Sequence, residues 1–282
     1  MIEPHPIIER TVRMALAEDL GPGDVTTQAV LDHHPRGTAS LLAREPLVLA
    51  GMAVFEATFT MVCPDIRVQS DFSDGELISP GQAISTVDGP LDAILKGERT
   101  ALNFIQRMSG IATLTRQYVE RVQDTRAKIL DTRKTAPGLR WLDKYAVRTG
   151  GGHNHRFGLF DGVLIKDNHI ASAGSITKAV HNARNQIPHT LKIEIEVEDL
   201  AGVKEACRAG ADIILLDNMS PPLLTEAVGL INGAALVEAS GGITLESVAA
   251  VARSGVDMIS VGELTHSAKA SDFTLKIDPR PT

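Results

Sequence analysis

Ala209-Gly210-Ala211-Asp212-Ile213-Ile214-Leu215-Leu216 returns later in the chain as Ser254-Gly255-Val256-Asp257-Met258-Ile259-Ser260-Val261. Each stretch follows a helical pattern, stops it with a glycine, and opens a short apolar run. A glycine past a helix end supplies the left-handed turn that other residues resist. A short apolar run without alternation reads as a strand covered on both faces. Four more runs of this kind surround the pair: Lys128–Leu130, Val163–Ile165, Ile193–Val197 and Ala235–Val237. Helical stretches at about 175–187, 199–208, 222–232 and 244–254 separate the later runs. Ser175, Asp199 and Thr244 stand where N-caps belong, and Gly210, Gly233 and Gly255 stand after helix ends. Repeated strand–helix units predict a parallel α/β architecture, as a barrel or an open sheet.

Upstream the texture differs. Ile7, Ile8, Val12, Leu16 and Leu20 have helical spacing over 6–20, and Gly21-Pro22-Gly23-Asp24 ends it. Short extended candidates follow at 38–44, 47–50, 66–72 and 83–87, with a helix predicted over 52–62. Turn residues such as Ser73-Asp74-Gly75 separate them, which predicts a small antiparallel sheet. From Pro90 the pattern is helical, and Gly110 is expected to bend it before a second helix runs to about Gln123. Spacing alone makes Arg99 in this segment a surface ion-pairing residue.

The 282 residues carry a formal net charge of -7, with 43% hydrophobic and 22% charged residues. That is a globular balance, and the length allows one large domain or two modest ones. Aromatic residues, at 4%, are too scarce for stacking on single-stranded nucleic acid. Cys63 and Cys207 form no CxxC and read as two free, buried thiols. No apolar run approaches a membrane span, and the N-terminus shows no secretion signal, so a cytoplasmic enzyme is expected.

Chemistry concentrates at the strand ends. In parallel α/β folds ligands bind at the carboxyl ends of the strands. The six runs end in Asp131-Thr132-Arg133-Lys134, Lys166-Asp167-Asn168-His169, Glu196, Asp217-Asn218, Glu238-Ala239-Ser240-Gly241-Gly242 and Gly262-Glu263. Between Thr132 and Lys166 lie Arg133, Lys134, Arg140, Lys144, Arg148, Arg156 and Lys166, against only Asp143 and Asp161. A cationic stretch in an acidic chain suggests a pocket for a small polyanion. Ser240-Gly241-Gly242, Thr244 and Gly262 can offer backbone N–H groups to a phosphate. Glu196 and Asp217 suit sugar hydroxyls or Mg²⁺ bound with pyrophosphate. Glu194 shares the face of Glu196 but lies further from the strand's carboxyl end, and is read as structural. Arg133 and Arg156 can grip carboxylates bidentately, Lys134 and Lys166 act as point charges, and His155 can donate to an anion. His153 reads as a loop residue. No GxSxG, Cys–His pair or HExxH is present.

These motifs resemble one family. Asp131-Thr-Arg-Lys-Thr with Pro137-Gly-Leu-Arg, Lys144-Tyr-Ala-Val, Gly150-Gly-Gly-His-Asn-His-Arg, Leu164-Ile-Lys-Asp-Asn-His, Glu194-Ile-Glu-Val, Leu215-Leu-Asp-Asn and Ser240-Gly-Gly-Ile are similar to quinolinate phosphoribosyltransferase, also called nicotinate-nucleotide pyrophosphorylase (carboxylating). Glu18-Asp-Leu-Gly-Pro-Gly-Asp-Val-Thr-Thr, Gly97-Glu-Arg-Thr-Ala-Leu-Asn-Phe and Val261-Gly-Glu-Leu-Thr-His-Ser extend the likeness over nearly the whole chain.

The resemblance implies transfer of phosphoribose from phosphoribosyl pyrophosphate to quinolinate with decarboxylation, in de novo NAD synthesis, with Mg²⁺. It implies an N-terminal α/β sandwich (1–115), a six-stranded parallel α/β barrel (116–270), and a C-terminal segment (271–282) returning to the first domain. It implies a homodimer or higher oligomer with shared sites, in which Arg99 reaches quinolinate from the partner. It assigns Thr132, Arg133, His155, Arg156 and Lys166 to quinolinate and Lys134 toward the pyrophosphate. Glu196 and Asp217 take the ribose and metal, and Ser240, Gly241, Gly242, Val261, Gly262, Glu263 and His266 surround the 5′-phosphate. Lys134, Lys166, Glu196 and Asp217 are the catalytic candidates. Glu263 departs from the small alanine of many relatives, and a carboxylate beside a phosphate must point away or find a partner. Rival readings are the related phosphoribosyltransferase encoded with molybdate transport, nicotinate phosphoribosyltransferase, and a non-catalytic barrel binding phosphorylated ligands.

Overall fold

The computed structural model describes residues 6–31 and 35–279. Residues 1–5, which bear on the expected lack of a secretion signal, and 280–282 of the C-terminal segment lie outside the described residues. The chain forms two compact units. One comprises residues up to Leu114, Ala136–Gly151 and the chain from Ala268 onward; the other comprises Thr115–Thr135 and Gly152–Ser267.

The first unit holds α1 (Pro6–Leu20), α2 (Val25–Val30), β1 (Arg36–Ala43), β2 (Leu47–Val48), α3 (Met52–Val62), β3 (Arg67–Ser70), β4 (Leu77–Ile78), β5 (Ala83–Pro90) and most of α4 (Leu91–Val122). Asp24 caps α2, its Oδ1 accepting from the N–H groups of Thr26 and Thr27 at 3.0 Å. β1 alternates exposed or half-buried with buried residues, and Ala39, Leu41 and Ala43 enter a core with Phe55, Phe59, Ile84, Ile94 and Ile105. The last strand of the chain, Phe273–Pro279, pairs antiparallel with β1, adding Phe273 and Leu275 to this core.

α4 is continuous. The expected bend at Gly110 does not occur. Gly110 instead admits close packing: a Cβ there would lie 2.1 Å from the carbonyl oxygen of Lys269.

The second unit holds β6 (Lys128–Leu130), β7 (Val163–Ile165), α6 (Asp167–Ala173), α7 (Ile176–Gln186), β8 (Ile193–Val197), α8 (Leu200–Ala209), β9 (Ile213–Asp217), α9 (Pro221–Ile231), β10 (Leu236–Ser240), α10 (Val248–Arg253), β11 (Met258–Ser260) and α11 (Glu263–His266). α5 (Arg140–Thr149) precedes β7 in the chain but belongs to the first unit; β12 (Phe273–Pro279) is the returning strand. The six parallel strands run in the order β6-β11-β10-β9-β8-β7. β6 and β7 are the two edges, so no strand ladder closes the expected barrel. His153 occupies β6's outer edge, its N–H donating to Ile129 O at 2.8 Å and its carbonyl accepting from Asp131 N–H at 3.1 Å.

The opening echo has a physical basis. The Asp212 carboxylate accepts the N–H of Ile193 at 2.7 Å, and the Asp257 carboxylate accepts that of Val237 at 2.9 Å. Asp212 thereby satisfies the first donor of β8 and Asp257 the second donor of β10, either of which would otherwise be an orphan. The glycine two residues earlier turns the chain there, with φ of 73° at Gly210 and 92° at Gly255. Ser175 and Asp199 cap α7 and α8, accepting from Lys178 N–H and Gly202 N–H. Thr244 does not cap a helix: α10 begins only at Val248, after a turn in which Thr244 N–H donates to Ser247 Oγ.

Candidate active site

At the carboxyl ends of the six strands lies a cavity of about 700 Å³. That suits a drug-sized ligand pair. Strand alternation builds its wall: Glu196, Leu215, Asp217, Glu238, Ser240 and Ser260 line it, while Ile195, Leu216, Ala239 and Ile259 between them are buried on the opposite side. Register aligns the wall across strands, with Glu196 and Glu238 both opposite Leu215, and Ser240 opposite Asp217.

Every site residue expected from the sequence except Arg99 lines this cavity. Arg99 is exposed on α4 in the first unit and makes no ion pair among the described residues, so the surface-pair reading fails. The cationic stretch does not act as one block. Arg140, Lys144 and Arg148 lie on α5, in the first unit, and Arg133, Lys134, Arg156 and Lys166 line the cavity. Asp143 of α5 is buried and accepts from Arg107 Nε and Nη2, each at 2.8 Å.

Arg156 donates from Nη1 to Gly162 O at 2.9 Å. Burial, and next the nearby charge of Arg133, lower its affinity for its proton. Glu194 and Asp161 act on it in the opposite sense, and its buried Nε has no hydrogen-bond partner among the described residues. Lys166 Nζ meets Glu196 Oε2 at 2.8 Å, with 46% of the lysine side chain exposed. A pair this open is worth little and is cheaply exchanged for a ligand. Lys134 sits in a turn: its N–H donates to Thr132 Oγ1 at 3.0 Å, and its carbonyl accepts from Thr265 Oγ1 at 2.8 Å.

Gly241 and Gly242 are both left-handed, with φ of 95° and 58°. A Cβ on Gly241 would lie 2.2 Å from Asn218 Oδ1. Asn218, itself left-handed at φ 54°, donates its N–H to Ser240 O at 2.9 Å and its amide to Asp217 Oδ2 at 2.6 Å. The β9 and β10 ends are locked together through this asparagine. Glu263 lines the cavity, and the partner of its carboxylate is not a cation. Its Oε2 accepts from the buried phenol of Tyr118 at 2.5 Å. Burial, and then this bond, push the Tyr118 phenol above its ordinary pKa.

His155, expected to donate to an anion, lines the cavity with its ring engaged within the protein. Its Nδ1 accepts from Arg156 N–H at 2.7 Å, which leaves the proton on Nε2. Nε2 faces Glu194 Oε2 at 3.0 Å and Glu238 Oε1 at 3.6 Å. Both glutamates are buried, and Glu194 Oε1 and Glu238 Oε1 have no hydrogen-bond partner. An unsatisfied buried acceptor costs about 1–3 kcal/mol. Burial first, then the Glu194 charge, raises the Glu238 carboxyl to about 7. Below the segment, Asp131 Oδ1 and Oδ2 accept from His155 N–H and from the Asn154 amide at 2.9 and 2.6 Å. The sequence reading set Glu194 aside and gave Glu238 no role. Acids two apart in β8 and an acid within the apolar β10 were the available signals. Cys63 and Cys207 are free and half-buried rather than buried.

Two family models together match most of the chain. The quinolinate phosphoribosyl transferase N-terminal domain covers residues 24–109 and the C-terminal domain covers residues 111–276. A probable nicotinate-nucleotide pyrophosphorylase [carboxylating] of Bacillus subtilis is 43% identical over 273 residues, covering 97% of this chain and 94% of the relative. A chloroplastic nicotinate-nucleotide pyrophosphorylase [carboxylating] of Arabidopsis thaliana is 44% identical, covering 97% and 84%. A crystal structure of NadC from Streptococcus pyogenes superposes with a TM-score of 0.95 at 43% identity, covering all of both chains.

Proposed function

Because the chain belongs to the quinolinate phosphoribosyltransferase (decarboxylating) family of de novo NAD biosynthesis, a family of pentosyltransferases, we propose that its strand-end cavity is where quinolinate and phosphoribosyl pyrophosphate react. The products are nicotinate mononucleotide, pyrophosphate and carbon dioxide. The observation that carries this reading is that Arg133 and Arg156 line one cavity, with the Arg156 Nε buried and without a hydrogen-bond partner among the described residues, where a dicarboxylate would supply acceptors. Thr132 and Lys166 complete the quinolinate side in this assignment. His155 supports Arg156 from behind, as its ring nitrogens are engaged within the protein.

Lys134 faces the pyrophosphate. The Ser240–Gly242 turn, with Val261, Gly262 and His266, receives the 5′-phosphate, and Glu263 is kept from repelling it by its bond to Tyr118. Glu196 and Asp217 are hard oxygen donors lining the cavity on adjacent strands, and they fit Mg²⁺ held jointly with substrate oxygens. When bound, the ion neutralises charge on the pyrophosphate leaving group. The protein's own residues do the rest by positioning. They hold two anions together so that the pyridine nitrogen meets C1 of the ribose as it becomes oxocarbenium-like. As carbon dioxide leaves, the positively charged ring nitrogen stabilises the electron pair left at C2, and a proton from water then takes the place of the carboxylate. The absence of a nucleophile motif agrees with a reaction needing no covalent intermediate on the enzyme.

Exposed Arg99 lines no part of the cavity of its own chain, and it completes the site from a second copy in a homodimer. A cytoplasmic location belongs to the same reading, supported by free thiols and by the lack, among the described residues, of a helix long and apolar enough to cross a membrane. Incubation with quinolinate, phosphoribosyl pyrophosphate and Mg²⁺ tests the function. Formation of nicotinate mononucleotide with an equal amount of carbon dioxide is expected. Turnover of nicotinate but not quinolinate would overturn it.

A further inference from the structure

We infer that Glu194 is a positioning residue that takes the Nε2–H of His155 inside the strand array, with Glu238 beside it, and thereby sets how Arg156 meets the substrate carboxylate. This rests on the quinolinate reading of the cavity.

β6 and β7 are edges that do not pair, so the segment after Gly152 has no strand on its far side to register it. Beyond the backbone pairing of His153 to β6, it is held at two further places. Asp131 takes the His155 N–H and the Asn154 amide from the end of β6. The His155 ring then reaches inward to Glu194 on β8 and Glu238 on β10. One imidazole thus ties the segment to two strands that β6 itself does not touch.

The tie is directional. With Nε2–H turned to Glu194, Nδ1 is an acceptor and receives the N–H of Arg156, the next residue. Arg156 is further fixed where Nη1 donates to Gly162 O. If the ring turned, Arg156 would lose its backbone partner, and repulsion from Arg133 would push its guanidinium outward. The 3.0 Å separation between Nε2 and Glu194 Oε2 is that of an N–H···O hydrogen bond. The three side chains also bring ligand atoms within 4.8 Å of one another, so a divalent cation is the competing occupant.

A hydrogen bond from a neutral imidazole needs an acceptor, not a charge. Glu194→Gln keeps a carbonyl oxygen for Nε2–H, whereas Glu194→Leu keeps nothing. The quinolinate KM is expected to rise about tenfold in Glu194→Leu and to stay within about twofold in Glu194→Gln, with the phosphoribosyl pyrophosphate KM within about twofold in both. Two-bond ¹H–¹⁵N correlation spectra of the unliganded protein, with the His155 signals assigned by their loss in His155→Asn, should show Nε2 protonated and Nδ1 bare in wild type and Glu194→Gln. Equal effects of Gln and Leu, parallel rises in both KM values, or an Nδ1-protonated His155 would overturn the inference. So would stoichiometric zinc in the purified protein that Glu238→Gln abolishes. If Glu194→Leu does not fold, the spectra of wild type and Glu194→Gln still decide. Those spectra need no turnover, so their outcome is separate from whether quinolinate is the substrate.

Discussion

Replacing Gly241 with alanine should damage phosphoribosyl pyrophosphate use more than the same change at Gly242. At Gly241 the backbone sits at φ 95°, and the new Cβ would lie 2.2 Å from Asn218 Oδ1 and 2.8 Å from Asn218 N. Real Cβ contacts do not come that close, and one of the two atoms is backbone. Asn218 must move, and it can do so only by weakening its bonds to Ser240 O and Asp217 Oδ2. The left-handed conformation costs a non-glycine residue about 1–2 kcal/mol, and a lost hydrogen bond adds about 1 kcal/mol. The sum is about 2–3 kcal/mol, below the 5–15 kcal/mol of a typical domain's stability. The variant should therefore fold. A loss of that size at the transition state lowers kcat/KM for phosphoribosyl pyrophosphate about 30- to 150-fold. At Gly242, φ is 58° and nothing lies within 4 Å of a Cβ, so only the conformational cost of about 1–2 kcal/mol applies and the fall should be about 5- to 30-fold. Steady-state kinetics with each substrate varied, beside thermal melts of both variants, make the comparison. Equal losses in the two variants, or an unperturbed Gly241→Ala, would refute the contact argument.

Mixing inactive Arg99→Ala with inactive Lys166→Ala should restore partial activity as subunits exchange; no recovery despite mass-spectrometric proof of mixed dimers would remove Arg99 from the partner's site. Gly110→Ala should lower the melting temperature by about 5–10 °C, since a Cβ 2.1 Å from Lys269 O forces overpacking of about 1–3 kcal/mol in a chain of this size; a melt unchanged by differential scanning calorimetry would contradict the packing. Glu238 gives a pH signature. Its carboxyl is raised in the folded protein to about 7 from an ordinary 4.5, by burial and by Glu194, with His155, Ser260 and Asp131 also facing it. The folded state therefore holds a proton that the unfolded chain releases. This contribution is complete below about pH 4.5 and is lost as pH rises toward about 7. Urea titrations across that window should show a downward slope in stability that Glu238→Gln flattens, and an identical slope in the variant would count against a protonated Glu238.

Local chemistry and periodicity were enough to reveal the parallel half of the molecule. The Gly-x-Asp echo announces β9 and β11 because its parts are adjacent in the chain: a left-handed turn, then a carboxylate for an N–H at the start of the neighbouring strand. Ser175 and Asp199 were readable for the same reason, since a cap reaches only two or three residues. Strand ends named the cavity's polar wall, because a parallel sheet brings all its carboxyl ends to one side. Gly110 was misread because nothing local distinguishes a helix-bending glycine from one that admits Lys269 O from far along the chain.

Only the tertiary structure could divide the cationic stretch. Arg140, Lys144 and Arg148 look like neighbours of Arg133 in sequence, yet α5 packs in the first unit, where Arg107 grips Asp143. Likewise the partners of Glu263 and His155 come from 145 positions away in the case of Tyr118, and from two different strands for Glu194 and Glu238. Charge and residue type are carried by the chain itself, so the sequence determined which ligand chemistry the protein can meet. Desolvation and hydrogen-bond direction depend on which distant segments pack together. The tertiary structure therefore decided which cations line the cavity, that the Glu263 carboxylate meets a buried phenol, and that the His155 ring turns inward to two buried acids.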